Sequence, residues 1–194
     1  TRKRLWQSLV KAKIRAQARA LEELRGDDAG LAELVGKVRS GDPANVEAEA
    51  SRRYWPLLFA NPEFRRDREG AGPNHLLNYG YAVLRAIMAR AVCAAGLHPS
   101  LGLHHHNRYD AFRLVDDLME PLRPVVDRAV AYYCAAYGPE AALDKRAKAV
   151  LIGALMGRFR LGRQSRTLFD IANRTAATLV EVFARKRKAL VVPD

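Results

Sequence analysis

The sequence predicts an all-α fold, a single helical domain of about seven helices, on three observations. Apolar residues recur every three to four positions through most of the 194 residues. Glycine and proline punctuate those stretches where helices would stop and start. No alternating strand pattern of useful length interrupts them, and there is no internal repeat. The length suits one well-buried core, so residues 1–194 read as one domain.

Residues 2–25 read as the first helix, with Trp6, Val10, Ile14, Gln17, Leu21 and Leu24 on one stripe and Gly26 as a left-handed stop. Its other faces carry Arg2, Lys3, Arg4, Lys11, Lys13, Arg15 and Arg19, a flank suited to tracking phosphates or simply to solvent. Asp28 is placed to cap a short second helix bearing Leu31, Leu34, Val35 and Val38, ended at Ser40-Gly41. Asp42-Pro43 then opens a third, DPANVEAEASRRYWPLLF. The acid is its expected N-cap, and proline takes the first helical position, where a missing donor costs nothing. Glu47, Ser51 and Tyr54 follow one line on this helix, Ala48 and Ala50 leave room for close approach, and Arg52 and Arg53 flank the line. On spacing alone Glu47 is a surface acid.

Residues 60–73, ANPEFRRDREGAGP, read as a mobile loop whose Arg65, Arg66 and Arg68 are placed to close over a polyanion. Asn74 to Ala95 is apolar almost all round and reads as the central core helix, closed by Gly96. Residues 101–124, LGLHHHNRYDAFRLVDDLMEPLRP, put His104, His105 and His106 in a loop. They then open a helix expected to carry Asp116, Asp117 and Glu120 on one side and Phe112, Val115, Met119 and Leu122 on the other. Pro121 deprives the Asp117 carbonyl of its helical donor, so the helix should bend or stop beside the acids. Imidazole with converging carboxylates is a ligand set for a divalent cation; the plainer alternative is a charged outer face and a solvated histidine run. Helix continues from Val125 to Tyr137, stops at Gly138-Pro139, and resumes from Glu140 to Phe159 with Leu143, Ala147, Val150, Leu151, Ala154 and Leu155 inward. Ser165 is the expected cap of the last helix, whose end carries Arg185, Lys186, Arg187 and Lys188, cations that suit a helix C-terminus. The final LVVPD reads as extended.

Composition narrows the function. Hydrophobic residues make up 49% of the chain, too many for a disordered protein. No apolar run approaches the ~20 residues needed to cross a bilayer, so no membrane partner is expected. TRKRLWQ lacks the apolar core of a secretory signal. Cys93 and Cys134 lie in helical apolar patterns, read as small buried hydrophobes of a reducing compartment, and point to the cytoplasm. Lys and Arg number 33 against 21 Asp and Glu, giving net +12 and a pI near 10.2. That field attracts polyanions, above all nucleic acid, with an anionic membrane surface or a ribosomal partner as alternatives. The zinc-protease HExxH, the paired Glu-x-x-His of di-metal bundles and the His-Asp dipeptide of metal phosphohydrolases are all absent.

Three stretches, DPANVEAEASRRYW, LLNYGYAVLRA and LGLHHHNRYDAFRLVDDLMEPLRPVVD, occur in the order and spacing of a known family. Together they resemble the CRISPR adaptation integrase, the metal-dependent DNA endonuclease/integrase that inserts new spacers into CRISPR arrays, and its type II branch above all. The likeness covers most of residues 42–128. It implies a helical catalytic domain and a Mg²⁺ or Mn²⁺ cofactor. As partners it implies double-stranded and branched DNA, a second copy of the chain, and a small nuclease-like adaptation protein. The family's metal and catalytic site carries over onto Glu47, onto one of His104 and His105 with His105 favoured, and onto Glu120, with Asp117 as a supporting acid. Glu120 stands where other branches use Asp, which changes reach but not ligand type. Arg15, Arg52, Arg53, Arg65 and Arg66 are the expected phosphate contacts. The family's β-rich N-terminal domain, which supports dimerisation, has no match in this sequence, so the likeness is to the helical lobe. The alternative to catalysis is a non-catalytic DNA-binding or assembly module that keeps the helical fold.

Overall fold

The computed structural model describes residues 1–193. Helix α1 (Arg2–Arg25) is closed by Gly26 at φ 74°, whose N–H returns to the Glu22 carbonyl, and it buries Leu5, Leu9, Val10, Ile14 and Leu21. Against it pack α2 (Leu31–Lys37) and α3 (Val46–Leu58). The centre is α4 (Pro73–Ala94), which carries Leu76, Leu77, Leu84, Met88 and Val92 fully buried. Around it lie α5 (Arg113–Met119), α6 (Arg123–Tyr137), α7 (Lys145–Leu155) and α8 (Leu168–Phe183). Helix α6 touches both α1 and α4 and so joins the two groups into one core. Gly80 sets the α4–α6 crossing: a Cβ there would stand 2.3 Å from Val126 Cγ1, so only glycine admits this approach.

The helical class holds, and several boundaries move for identifiable reasons. Helix α3 starts at Val46, not at Asp42-Pro43. Asp42 still caps it from a distance, its carboxylate accepting from the Val46 and Glu47 amides at 3.0 Å each, while Pro43 sits in the preceding turn. The expected mobile loop at 60–73 is instead pinned to α4. Arg66 donates to the Asn74 and Asn78 side chains, Asn74 accepts from the Asp67 amide, and Asn78 donates to the Arg68 carbonyl. Helix α7 begins at Lys145, where Asp144 accepts from the Ala147 amide at 2.8 Å. Val150 is 41% exposed, not inward, and Phe159 belongs to a strand.

That strand is one half of a hairpin. β1 (Arg158–Leu161) and β2 (Gln164–Thr167) pair antiparallel around Gly162 at φ 60°. Four-residue strands are too short to show alternation against the helical pattern on either side. Ser165 therefore lies in β2, and Thr167 caps α8, accepting from the Asp170 amide. Helix α8 ends at Phe183, so the Arg185–Lys188 cluster follows it and does not form its last turn. Cys134 is buried as expected, its thiol pushed up to about 11 by burial, but Cys93 is exposed. Among the described residues no helix is long and apolar enough to cross a membrane.

Candidate active site

Pro121 does what its chemistry requires. Helix α5 stops at Met119, a single 3-10 turn (Glu120–Leu122) follows, and α6 starts at Arg123. The stop expected beside the acids is there, and the turn re-aims them. They do not share one face. Asp116 pairs with Arg85 of α4, Asp117 turns to the histidine loop, and Glu120 is buried against α1.

Glu120 and Glu47 meet at a single cation. Lys13 Nζ, projected from α1, stands 2.6 Å from Glu47 Oε1 and 2.6 Å from Glu120 Oε2. Glu47 is held there because Asp42 fixes the first turn of α3. Arg123 Nε donates to the other Glu120 oxygen at 2.7 Å. Burial alone would raise the Glu120 carboxyl, but Arg123 and then Lys13 overcome it and hold the group at about 2. Burial likewise disfavours the Lys13 ammonium, and Glu120 and Glu47 more than reverse this, leaving its pKa well above normal. Glu120 Oε2 meets Lys13 Nζ as an ion pair and has no other donor among the described residues. A buried carboxylate oxygen whose one partner is an ammonium, next to a second carboxylate converging on the same point, is a donor set that fits a hard divalent cation.

The histidine loop is built by Asp117, which is fully buried. It accepts from the amides of Leu103 (2.6 Å), His104 (3.0 Å) and His105 (3.3 Å), and from His105 Nδ1 at 2.5 Å. Gly102 makes this tightness attainable, since a Cβ there would lie 2.7 Å from the His105 carbonyl and 2.9 Å from Arg113 Cβ. Trp6 of α1 stacks flat on His104, centroids 4.2 Å apart, and meets His105 edge-on. The Asp117 hydrogen bond raises the His105 pKa against partial burial, with Asp117 and Glu120 charges adding to the effect. A carboxylate on Nδ1 leaves Nε2 as the ring's outward nitrogen, the arrangement in which a histidine ligates a metal. His105 is nonetheless not gathered with the glutamates. Among the described residues no three His, Cys, Asp or Glu side chains lie close enough together to hold an ion.

Glu120 and Lys13 open onto a cleft of about 780 Å³. Lys13, Arg66, Arg68, Arg85 and Arg123 line it, against Glu69, Asp116 and Glu120. Of the five arginines expected to meet phosphates, only Arg66 is in this cleft. Arg15 and Arg52 are exposed elsewhere, Arg53 is paired with Glu49, and Arg65 folds onto the Pro62 and Phe64 carbonyls. Lys13, Arg85 and Arg123 escaped notice as site residues. For Arg85 there was a signal: it is one of only two arginines, with Arg90, in a largely apolar helix. Arg123 lay three positions from Glu120, the spacing of a helical ion pair. Lys13 was one cation among many on α1.

Beneath the cleft, buried Asp127 accepts from Tyr54 OH at 3.1 Å and from Tyr81 OH. The Tyr81 ring in turn carries the Arg123 guanidinium 4.6 Å from its centroid and Arg66 at 5.5 Å. Burial raises Asp127 to about 7, in spite of the two tyrosine hydrogen bonds and the Arg123 charge. A carboxyl raised on folding adds stability that is complete below its unfolded pKa near 4 and is lost as pH climbs through about 7. Asp127→Asn keeps the shape and removes the titration, leaving an acceptor toward one tyrosine and an amide donor toward the other hydroxyl, which can accept. Urea unfolding at pH 5 and pH 8 should show that the variant gains on the wild type at the higher pH, by at least about 1 kcal/mol. An identical pH trend in both proteins would contradict this.

Comparison with known proteins places this geometry. The family profile described as "CRISPR associated protein Cas1" matches residues 1–152. The CRISPR-associated endonuclease Cas1 of Neisseria meningitidis serogroup C (strain 8013) is 37% identical over 196 residues, covering 100% of this chain and 64% of that protein. The chain therefore spans just under two thirds of that relative's length. Among solved structures, a casposase bound to integration product superposes with a TM-score of 0.80 at 20% identity, over 97% of this chain and 66% of that one. A Cas6-RT-Cas1–Cas2 complex matches with a TM-score of 0.75 at 21% identity, over 100% of this chain and 25% of that one. At these identities the structural matches speak for the fold alone.

Proposed function

The chain belongs to the Cas1 family of CRISPR-associated proteins, and on that footing we propose that it is a divalent-metal-dependent DNA endonuclease/integrase. It would insert spacer DNA into CRISPR arrays by phosphodiester transesterification, or cleave DNA where water is the nucleophile. The observation that carries the reading is the convergence of Glu47 and Glu120 on one cation at the edge of an arginine-lined cleft. The endonuclease name of the Neisseria relative supports it, as does the fold shared with a casposase bound to integration product. The fold shared with a Cas6-RT-Cas1–Cas2 complex supports a Cas2-type partner, and a second copy of the chain completes the proposed assembly.

In this reading Glu47, Glu120 and His105, whose Nδ1 is on Asp117, would hold Mg²⁺ or Mn²⁺. Bound there, the ion supplies charge stabilisation at the scissile phosphate and a lowered pKa for the attacking hydroxyl. A histidine ligand favours Mn²⁺, since Mg²⁺ prefers oxygen. Arg66, Arg68, Arg85 and Arg123 orient phosphates across the cleft through charge-assisted hydrogen bonds. Tyr81, anchored by Asp127, props Arg123 and so aims the guanidinium. The test is nicking and strand transfer on branched DNA with Mn²⁺, Mg²⁺ or a chelator. Product is expected with metal only, and Glu47→Ala should lose it while still binding DNA at low salt. Full activity in Glu47→Ala would reject the site.

One observation favours a second reading, a non-catalytic DNA-binding or assembly module: Lys13 already occupies the point where both carboxylates converge. DNA bound without product under every metal would select it.

A further inference from the structure

The hairpin that the sequence concealed forms a second cationic groove, distinct from the cleft. It has a volume of about 280 Å³, and its cations come from three elements: Arg19 of α1, Arg128 of α6, and Arg158 and Arg160 of β1. No carboxylate lines it among the described residues; Glu23, which pairs with Arg128, lies outside. The strand register explains how two arginines share one face. Arg158 and Arg160 alternate on β1 opposite Thr167 and Ser165, both small residues. Arg158 is also held in place, donating to the Ser165 hydroxyl at 3.1 Å and to its carbonyl at 2.6 Å. The floor, Pro121, Leu122 and Pro124, offers no acceptor side chain.

Groove and cleft are two sides of one piece of chain. Glu120 and Arg123 project into the cleft, while Pro121, Leu122 and Pro124 of the same turn floor the groove. Along α1, Lys13 lines the cleft and Ala16 and Ala20 line the groove, on one helical row. Seven residues of α-helix advance about 10 Å, which is about three nucleotide steps of a duplex strand. We propose that this groove binds the phosphate backbone of duplex DNA a few nucleotides from the phosphate held in the catalytic cleft. It is a positioning surface that fixes which bond reaches the cleft. The proposal rests on the DNA-processing reading and extends it to a surface that reading does not use. A second copy of the chain is the poorer occupant, because a chain of net charge +12 meets this groove with like charge.

The test is fluorescence anisotropy of a labelled DNA duplex with the 194-residue chain, titrated with NaCl, for wild type, Arg158→Ala/Arg160→Ala and Arg158→Lys/Arg160→Lys. The alanine pair should make the slope of log affinity against log salt shallower by about 1.8, at ~0.9 for each phosphate that is no longer neutralised. The lysine pair should retain most of the slope. An alanine pair with unchanged slope would overturn the groove while leaving the DNA reading intact, and a wild type that binds no duplex at low salt would overturn both. Should the lysine pair lose as much slope as the alanine pair while thermal unfolding shows both to be destabilised, the effect is structural and the proposal fails. Sedimentation velocity adds one more decisive outcome: altered self-association with unchanged slope would assign the groove to a second copy.

Discussion

Replacing Glu120 with glutamine should remove metal-dependent nicking and strand transfer, lowering the single-turnover rate by ~10³-fold, the equivalent of about 4 kcal/mol of lost transition-state stabilisation. The substitution keeps shape and volume at a side chain only 5% exposed. It also keeps an acceptor for the Arg123 Nε that now donates at 2.7 Å. What it removes is the charge. With Arg123 and Lys13 holding the native carboxyl at about 2, Glu120 is ionised at any pH where DNA is handled, so its contribution does not switch off near neutrality. DNA binding at low salt should persist, because the cleft's net basic character increases when an acid is neutralised. Circular dichroism and anisotropy on the same sample separate lost chemistry from lost folding or lost DNA binding. A folded, DNA-binding, inactive variant places Glu120 at the reaction; an unchanged rate at saturating Mn²⁺ removes it from the site.

How much of this was legible in the sequence depends on the range of the interaction concerned. The stripes of α1, α4 and α8 are long and regular, so periodicity alone located them. Pro121 acts on its own carbonyl partner, and its break was local enough to foresee. The direction of the acids was not. Asp116 and Asp117 are neighbours, about 100° apart on a helix, and were always bound to diverge. The 3-10 turn then moved Glu120 off the helical row altogether. Which cation meets Glu120 is a question of α1 packing against the turn, and Lys11, Lys13 and Arg15 look alike until that packing is known. The resemblance named Glu47, His105 and Glu120, and folding brings the two glutamates together through Lys13 while holding His105 on Asp117. Arg66 shows the converse error. In sequence it was one cation of a polar loop, yet the buried Asn74 and the Tyr81 ring give it a fixed place in the cleft.

Lys13→Met should produce the largest change in stability, and the way it responds to metal distinguishes the two readings of the site. Methionine fills the volume of the lysine stem but leaves Glu47 and Glu120, with side chains 22% and 7% exposed, facing each other with Arg123 as the one paired cation among the described residues. Removing one member of a buried ion cluster costs ~3 kcal/mol or more, because the remaining charge stays desolvated. The pH dependence has a definite sign. A carboxyl depressed on folding contributes stability above its unfolded pKa, and that stability is lost as pH falls toward about 2. The gap between variant and wild type should therefore be widest near neutrality and should close as the solution is acidified. At pH 7, urea unfolding with and without Mn²⁺ then asks what the carboxylates are for. If the pair is a metal site from which Lys13 must withdraw, Mn²⁺ should restore the variant by about 2.7 kcal/mol at a hundred times its Kd, and should stabilise wild type less, since there the ion competes with a resident ammonium. A variant that is destabilised yet indifferent to Mn²⁺ would make the glutamates a socket for lysine, and the chain a DNA-binding module whose fold outlived its metal chemistry.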